Sequence, residues 1–397
     1  MKKSLFFLFF FISASVLKAQ NLDTASLNAT FSKVKKEKAP DKRSVHFVLS
    51  YKKDTAIIES SSEEALKAFN MQFKAANNPK IKKILLPDAN LKGKIYGVAN
   101  LSVANNRLNP AHSAELVTQI LMGTPVEVLK KQSGFFYVRT PEGYLSWVDG
   151  AAIKDMTLEE LQAWKAAEKI IISADYGHVY SEPNKESARV SDLVSGNILK
   201  NIGESGTFIK VEFPDKRMGY VEKNKTESYK NWLSKGLPNA GNILNSANKF
   251  IGVPYLWGGT SIKGMDCSGF TKTAFFLNGI ILPRDASQQV LVGTPVEVIT
   301  ANNFDVVKAV KNLLPGDLLF FAGSKKPGSL EGRVTHVAIY MGDGKMIQSA
   351  GMVKISSLYP NDPTYDTAVS NIVSAKRVLN NVGKPEITKV ENHGWYK

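Results

Sequence analysis

Two stretches, residues 103–148 and 176–221, repeat the same order of sequence signals, and this repeat restricts the fold more than any other feature. Each contains a short strand pattern, an Asn-Pro or Glu-Pro turn, a polar loop, an apolar pair before Gly123 or Gly196, and two strand patterns ending in an aromatic residue and valine. Short strands separated by turn residues are typical of small β-barrels of about five or six strands. Two copies are too few for a solenoid. The repeat therefore predicts a pair of barrel modules.

The segments around the repeat predict a multidomain α+β chain. Apolar residues recur at helical spacing within 60–76, which predicts a mostly helical region before the barrels. Thr157 and Glu160 form a capping box, which predicts a helix between them. The predicted parts are a leader (1–19), a mostly helical N-terminal region (20–95), the first barrel (96–150), a connecting helix (151–169), the second barrel (170–225), a linker (226–241) and a third domain (242–397).

The N-terminus has the layout of a secretory signal peptide. Lys2 and Lys3 precede an apolar run over 5–12, and small residues follow up to Ala19. This run is too short for an ordinary membrane span, and no later segment is apolar enough to cross a bilayer. No cysteine follows the run, so a lipid anchor there is excluded. We expect cleavage near Ala19 and an exported, periplasmic or extracytoplasmic protein that is not a lipoprotein.

The chain is strongly basic, with a net charge of +15 from 51 basic and 36 acidic residues. Such a charge favours anionic partners such as cell-wall polymers or lipid headgroups. The lysines are scattered and no nucleic-acid-binding motif occurs, so we expect no nucleic-acid partner. A solvated basic surface is the simpler interpretation of the charge. No feature of the sequence predicts the oligomeric state.

Cys267 is the only cysteine, so it cannot form an internal disulfide. A glycine-rich loop, YLWGGTSIKGMD, precedes it, and apolar residues at helical spacing follow it up to Gly279. Cys267 is therefore expected at the start of a helix. Unpaired N–H groups there would lower the thiol pKa and stabilise a developing oxyanion. The competing interpretation is a buried structural cysteine.

His336 is the histidine best placed to act as a base for this thiol. Residues 333–351 predict two strands around Gly342-Asp343-Gly344. A strict two-residue turn would put His336 and Gln348 on opposite faces, whereas a three-residue loop or a bulge would put them diagonally on one face. Gln348 would then accept a hydrogen bond from the His336 ring and fix its tautomer, giving a Cys–His–polar constellation. An ordinary strand-surface glutamine is the alternative.

Metal catalysis is disfavoured by the sequence. There is no HExxH motif, no cysteine pair, and no second histidine at ligand spacing from His336. We expect neither a metal nor another cofactor.

Four motifs, VPYLWGGTS…MDCSGF, LPRDASQ, LLPGDLLFF and THVAIYMGDGKMIQSAG, occur in order over about 240–380. Together they resemble the NlpC/P60 family of papain-like cysteine peptidases. RLNP…LMGTPVEV…YLSWV resembles a bacterial SH3 domain, and the second copy is a weaker match. The resemblance implies two small SH3-like β-barrels followed by a papain-like α+β NlpC/P60 domain. It also implies a γ-D-glutamyl-L-diamino-acid endopeptidase acting on peptidoglycan stem peptides or murein fragments.

The resemblance also implies catalytic roles for matching residues. Cys267 would be the nucleophile, His336 the general base and Gln348 the orienting residue. Tyr255 would help the N–H of Cys267 to hold the oxyanion. Asp266 and Ser268 flank the nucleophile and complete the family's Asp-Cys-Ser triplet. Ser268 would contact substrate.

Relatives with SH3 modules are expected to recognise a free N-terminal L-Ala. Asp285 is the candidate for the substrate ammonium, and Arg284 suits the free carboxylate of D-Glu. Glu115 and Tyr144 are the candidates from the first module, and Trp257 is expected to line the groove. The alternatives are a surface ion pair or turn residues for Arg284 and Asp285, and a core position for Trp257.

Two other functions stay open at this stage. The chain could be a non-catalytic cell-wall binding protein that uses its SH3 modules, although intact Cys267 and His336 argue against this. It could also be an N-acyl amidase or acyltransferase on the same scaffold. The sequence does not decide between diaminopimelate and lysine, or between intact wall and recycled fragments.

Overall fold

The computed structural model describes residues 24–74, 80–235, 239–326 and 328–397. They belong to two units, 1–85 and 86–397. The predicted leader, residues 1–19, lies outside the described residues. Among the helices that the structure describes, none combines the length and the apolar character needed to span a membrane.

The first unit is a mixed α/β structure. Its elements are α1 (Thr24–Lys38), β1 (Phe47–Lys52), β2 (Thr55–Ser60), α2 (Glu63–Gln72) and β3 (Ile81–Leu85). β1 pairs antiparallel with β2, and β2 pairs parallel with β3 across α2, which supplies the crossover that a parallel pair needs. The prediction of a mostly helical region did not include these strands, which form a three-stranded sheet that packs with the two helices.

The predicted repeat is present as two seven-stranded sheets, which we call the first module (96–156) and the second module (169–228). The first contains β4 (Tyr96–Ala99), β5 (Val103–Arg107), β6 (Leu116–Leu121), β7 (Pro125–Gln132), β8 (Phe135–Arg139), β9 (Leu145–Asp149) and β10 (Ile153–Met156). The second contains β11 (Lys169–Ile172), β12 (Tyr176–Tyr180), β13 (Arg189–Val194), β14 (Ile198–Ser205), β15 (Phe208–Glu212), β16 (Met218–Glu222) and β17 (Thr226–Ser228).

The two modules have the same strand order. It is β10-β4-β7-β8-β9-β5-β6 in the first and β17-β11-β14-β15-β16-β12-β13 in the second, which match position for position. Each module has seven strands instead of the predicted five or six, because a strand on either side of the recognisable repeat joins the sheet. The connecting helix α3 (Leu158–Ala166) is shorter than predicted, since β10 belongs to the first module, and the capping box of Thr157 and Glu160 is present.

Equivalent turns of the two modules both make contacts outside their own module. The turn between β8 and β9 carries Glu142, whose carboxylate lies 2.8 Å from the Lys272 ammonium of the third domain. The corresponding turn between β15 and β16 carries Asp215, which accepts a hydrogen bond of 2.8 Å from Asn100 Nδ2 of the first module. The repeated turn therefore links the second module to the first, and the first module to the third domain.

The third domain is α+β. Its elements are α4 (Tyr229–Leu233), α5 (Ala240–Asn248), β18 (Thr260–Ser261), β19 (Gly264–Met265), α6 (Cys267–Phe276), β20 (Ile280–Ile281), α7 (Ala286–Gln289), β21 (Thr294–Val296), β22 (Ile299–Thr300), β23 (Asn303–Phe304), α8 (Val306–Asn312), β24 (Leu318–Phe321), β25 (His336–Gly342), β26 (Lys345–Ala350), β27 (Met352–Ser357), β28 (Ile372–Arg377) and β29 (Thr388–Lys389). The predicted linker contains β17, α4 and the start of α5.

A six-stranded antiparallel sheet of order β21-β28-β24-β25-β26-β27 forms the core of this domain. Helix α6 packs on it through Phe270 and Ala274, which share a buried cluster with Val337, Ile339 and Ile347. The first residue of α6 and the first residue of β25 are thereby brought close together. These two residues are Cys267 and His336.

Candidate active site

Helix α6 begins at Cys267 because Asp266 caps it. The Asp266 carboxylate accepts the Gly269 N–H at 2.6 Å and the Gly258 N–H at 2.9 Å. Gly258 has φ of +78°, and a Cβ there would lie 2.5 Å from the carbonyl oxygen of Leu116 in the first module. Only glycine allows so close an approach in this conformation. One carboxylate therefore holds both the glycine-rich loop and the start of the nucleophile's helix.

Arg284 is the buried partner of this carboxylate, with 1% of its surface exposed. Its Nη1 and Nη2 donate to the two oxygens of Asp266 at 3.1 and 2.6 Å, its Nη1 also donates to Ser268 Oγ at 3.0 Å, and its Nε donates to Thr118 Oγ1 at 2.7 Å. The expectation that Arg284 binds a substrate carboxylate is therefore wrong. Four of its N–H groups already serve protein groups: the bidentate pair with Asp266 lies within the third domain, and the bond to Thr118 ties that domain to the first module.

The residues on either side of Cys267 are also internal. The Ser268 hydroxyl lies 3.3 Å from Asp266 Oδ1 and accepts from Arg284, and both side chains are buried. The prediction that Ser268 contacts substrate is wrong for its side chain, because the buried hydroxyl bonds Asp266 and Arg284. The Asp266 carboxylate caps the helix and balances the charge of Arg284.

The Cys267 thiol is 5% exposed, and its sulfur lies 3.8 Å from the carbonyl oxygen of Thr335, the residue before His336. Burial raises the pKa of this thiol to about 12, and the charge of Asp266 acts in the same direction. Hydrogen bonds from the N–H groups of Val337 and Ser268 lower the pKa but are outweighed. The predicted lowering is therefore wrong, since removal of the thiolate from water dominates over the helix terminus.

Tyr255 lies within electrostatic reach of the sulfur. Its pKa is raised by burial and then by the charges of Cys267 and Asp266. Tyr255 forms a β-bridge with Met265, and Pro254 before it forms one with Met352. Its phenol therefore stays protonated at neutral pH and can donate a hydrogen bond.

His336 and Gln348 meet as the hairpin argument predicts. The register pairs Ile339 with Ile347 and Tyr340 with Met346, and then shifts by one residue at a bulge before Gly342. This bulge places the two side chains diagonally on one face, and His336 Nε2 lies 2.7 Å from Gln348 Oε1. Burial lowers the pKa of His336, against the opposing effects of Gln348 and Asp366. The resting site therefore holds a neutral thiol beside a neutral imidazole.

Asp366 is a member of this site that the sequence did not reveal. Its Oδ2 accepts a hydrogen bond of 2.8 Å from Gln348 Nε2, whose second acceptor is Ser356 Oγ at 3.0 Å. In the sequence, Asp366 shows only the signal of a helix cap, and it does cap a short 3₁₀ turn through Ala368 N. No spacing rule connects such a loop residue to Gln348.

A second group of predicted residues joins the first module to the third domain. Trp257 Nε1 donates to Glu115 Oε1 at 2.8 Å, and the Tyr144 hydroxyl donates to Asp285 Oδ2 at 3.4 Å. Trp257 is 61% exposed, so the alternative of a core position is excluded. Trp257 is next to Gly258 and Asp285 is next to Arg284, so both pairs border the same buried Arg284–Asp266 ion pair. We call these four side chains the acidic cluster.

The turn that carries Tyr144 is held on two sides. Glu142 pairs with Lys272 on α6, and His393 Nε2 donates to the carbonyl oxygen of Pro141 at 3.0 Å. Nearby, Gln119 accepts from the Thr260 backbone N–H at 2.9 Å. The acidic cluster is therefore fixed relative to the nucleophile's helix.

The structure offers no sign of a metal centre within 24–74, 80–235, 239–326 and 328–397. No three histidine, cysteine, aspartate or glutamate side chains come together there in a way that could hold an ion. What the arrangement can do chemically is nucleophilic attack by Cys267 with His336 as the proton acceptor.

Two family models match the chain. The model of the NlpC/P60 family covers residues 252–371, which include Cys267, His336, Gln348 and Asp366. The model of the bacterial SH3 domain covers residues 102–154, within the first module.

Curated relatives and solved structures extend these matches. The γ-D-glutamyl-L-lysine dipeptidyl-peptidase of Bacillus cereus is 30% identical over 275 residues, which are 67% of this chain and 76% of that protein. Dipeptidyl-peptidase 6 of Lysinibacillus sphaericus is 28% identical over 69% of this chain and 95% of its own. A crystal structure of an NlpC/P60 family protein from Bacillus cereus covers 72% of this chain and 99% of its own, with a TM-score of 0.60 at 24% identity, which shows a shared fold.

Proposed function

Because the chain belongs to the NlpC/P60 family of cysteine peptidases, we propose that it hydrolyses the amide bond between γ-D-glutamate and the diamino acid of peptidoglycan stem peptides. The relatives from Bacillus cereus and Bacillus subtilis are named as γ-D-glutamyl-L-lysine dipeptidyl-peptidases. One observation carries the proposal: the sulfur of Cys267 lies next to the start of the strand that holds His336. The acidic cluster lies beside the glycine-rich loop that precedes Cys267.

The reaction begins with two neutral groups. His336 takes the proton of the Cys267 thiol as the sulfur attacks the γ-carbonyl carbon of D-glutamate, which forms the S–C bond. The oxyanion that develops is stabilised by the Cys267 N–H and by the protonated phenol of Tyr255. His336 then gives its proton to the leaving nitrogen, and the C–N bond breaks. Neutral His336 activates a water that hydrolyses the thioester and restores the thiol.

The acidic cluster suits the free amino terminus of such a peptide. Glu115 and Asp285 supply carboxylates, and Tyr144 supplies a hydroxyl, all fixed to the loop or turn beside the nucleophile's helix. An ammonium has only donors to offer, so it prefers acceptors of this kind. We therefore propose that an unacylated N-terminal L-Ala binds there. A stem peptide still joined to its glycan has that nitrogen acylated and would lack the charge.

Mass spectrometry of peptide digests tests the proposal. The substrates are L-Ala-γ-D-Glu-L-Lys, the same peptide with meso-diaminopimelate, and N-acetylated versions of both, incubated with wild type and with Cys267→Ala. We expect wild type alone to release the diamino acid, and only from peptides with a free amine. Cleavage of acetylated and free peptides at equal rates would remove the amine site but keep the peptidase. Products cut at another amide would point to an amidase or acyltransferase.

We also propose that residues 1–19 direct export, so that the mature enzyme works outside the cytoplasm. The support is the sequence pattern of two lysines, an apolar run and small residues. Fractionation of cells that express the chain with and without residues 1–19 tests this. Equal retention of both forms in the cytoplasm would contradict it.

A further inference from the structure

We propose that Asp366 is a positioning residue, which sets the tautomer of His336 by fixing the orientation of the Gln348 side chain. Gln348 is 1% exposed, so water does not satisfy its amide. Its oxygen lies 2.7 Å from His336 Nε2, and its nitrogen lies 2.8 Å from Asp366 Oδ2 and 3.0 Å from Ser356 Oγ. The three polar contacts of the amide are thus made by three different residues.

A carboxylate selects one of the two orientations that the Gln348 amide can take. An amide has a donor side and an acceptor side, whereas an ionised carboxylate only accepts. If the amide turned over, its oxygen would face Asp366 Oδ2 at hydrogen-bond distance, with two acceptors opposed in a buried place. Such an unsatisfied buried pair is costly. Ser356 cannot make this selection, because its hydroxyl both donates and accepts.

The fixed amide in turn fixes the imidazole. Gln348 presents its oxygen to His336, so Nε2 of His336 must carry the hydrogen. A neutral imidazole has one N–H, and its Nδ1 therefore keeps the lone pair that accepts the proton from Cys267. If the amide were free to turn over, part of the population would carry the hydrogen on Nδ1 and could not act as the base.

Asp366 is itself held in place. Its Oδ1 accepts the Ala368 N–H at 3.0 Å, and its Oδ2 lies 3.9 Å from the Lys354 ammonium. The charged groups that influence His336 are Asp366, Asp266 and Lys354. The hydrogen-bonded path from Asp366 to the ring runs through Gln348, which makes its role one of positioning. The kinetic part of the inference rests on the proposed peptidase function, whereas the tautomer does not.

Nitrogen NMR of ¹⁵N-histidine-labelled protein measures the tautomer without any substrate, with a His336→Gln sample to assign the signals. In wild type we expect a protonated Nε2 and an unprotonated Nδ1 at neutral pH. In Asp366→Asn, whose amide can face Gln348 in either orientation, we expect a mixture of tautomers. We also expect kcat to fall about tenfold with KM within about twofold, since the geometry of binding is untouched. An unchanged tautomer in Asp366→Asn would overturn the proposal, whatever the loss of activity.

A charge-swapped pair separates positioning from folding. In Gln348→Glu/Asp366→Asn, a carboxylate faces His336 and an amide donates to it, so the Nε2–H tautomer and most of kcat should return even if Asp366→Asn alone folds poorly. Ser356→Ala is the matched control, because it removes the other acceptor of Gln348 Nε2 and should keep the wild-type tautomer. A tautomer mixture in Ser356→Ala equal to that in Asp366→Asn, or no recovery in the pair, would refute the role of Asp366. Absence of turnover in wild type with the expected tautomer would count against the substrate alone.

Discussion

Replacing Arg284 with methionine distinguishes a buried anchor from a substrate-binding group. Methionine keeps much of the apolar volume but leaves Asp266 with a buried charge, and four hydrogen bonds of the guanidinium are lost. Breaking a buried ion pair by removing one partner costs about 3–5 kcal/mol. At roughly 2 °C per kcal/mol for a unit of this size, the melting temperature should fall by about 8 °C. Helix α6 loses support for its cap, so kcat should fall as well.

Thermal unfolding and steady-state kinetics on the same preparations check this expectation. If Arg284 is an anchor, Arg284→Met lowers the melting temperature and kcat while KM changes little. The control is Lys38→Met, which breaks an ion pair whose side chains are 39% and 73% exposed and should leave the melting temperature unchanged. A melting temperature equal to that of wild type, with KM raised tenfold or more, would show that Arg284 binds substrate and is not a buried anchor.

Four further predictions concern the nucleophile, its base and the start of its helix. Burial lowers the pKa of His336, and the base must be neutral to accept a proton. As the pH falls, kcat/KM should therefore reach half its maximum only below pH 6.5, and a midpoint above pH 6.5 would contradict this. Asp366→Asn removes a carboxylate that raises that pKa, so its midpoint should lie lower still. Iodoacetamide should alkylate Cys267 at pH 7 roughly a thousandfold more slowly than an exposed cysteine, because burial raises the pKa of the thiol to about 12. Rapid labelling that levels off below pH 8 would refute this. Gly269→Ala should lower both the melting temperature and kcat, since its Cβ would lie 2.0 Å from the Gly259 oxygen, whereas Gly394→Ala, with nothing within 4 Å, should change neither.

The contact of His336 with Gln348 could be predicted because it depends on local rules. Side chains alternate along a strand, and the turn residues at 342–344 decide whether the register shifts. The two residues are 12 positions apart, and every position between them belongs to the hairpin. The result follows from counting along one short segment.

Arg284 illustrates what such counting cannot reach. Its burial depends on Thr118, 166 positions away in another module, and on Asp266, 18 positions away. Taken alone, LPRDASQ suggests an exposed basic residue. The prediction of a lowered pKa for Cys267 is wrong for the same reason. The helix start is visible in the sequence, but the depth of burial of the thiol depends on strands that follow much later in the chain.

The N-terminal unit shows a different limit. Its helix α2 followed from the spacing of Leu66 and Phe69, both of which are buried. The burial alternates along β2, but its sequence is a short apolar run between polar residues, so the strand could not be recognised from alternation. The modules were recognised from the part that repeats, and their outer strands were missed because 96–99 and 153–156 lie outside that part.

The matching turns of the two modules bear on how this chain could have arisen. A gene duplication that produced both modules would have given each the same outward turn, and the shared strand order is what such an ancestry would leave. One descendant turn now bears Asp215 and Arg217, both bonded to Asn100 of its sister module. The other bears Glu142 and Tyr144 and faces the peptidase. The contact of one turn with the third domain can therefore change while the contact of the other turn between the sister modules is kept.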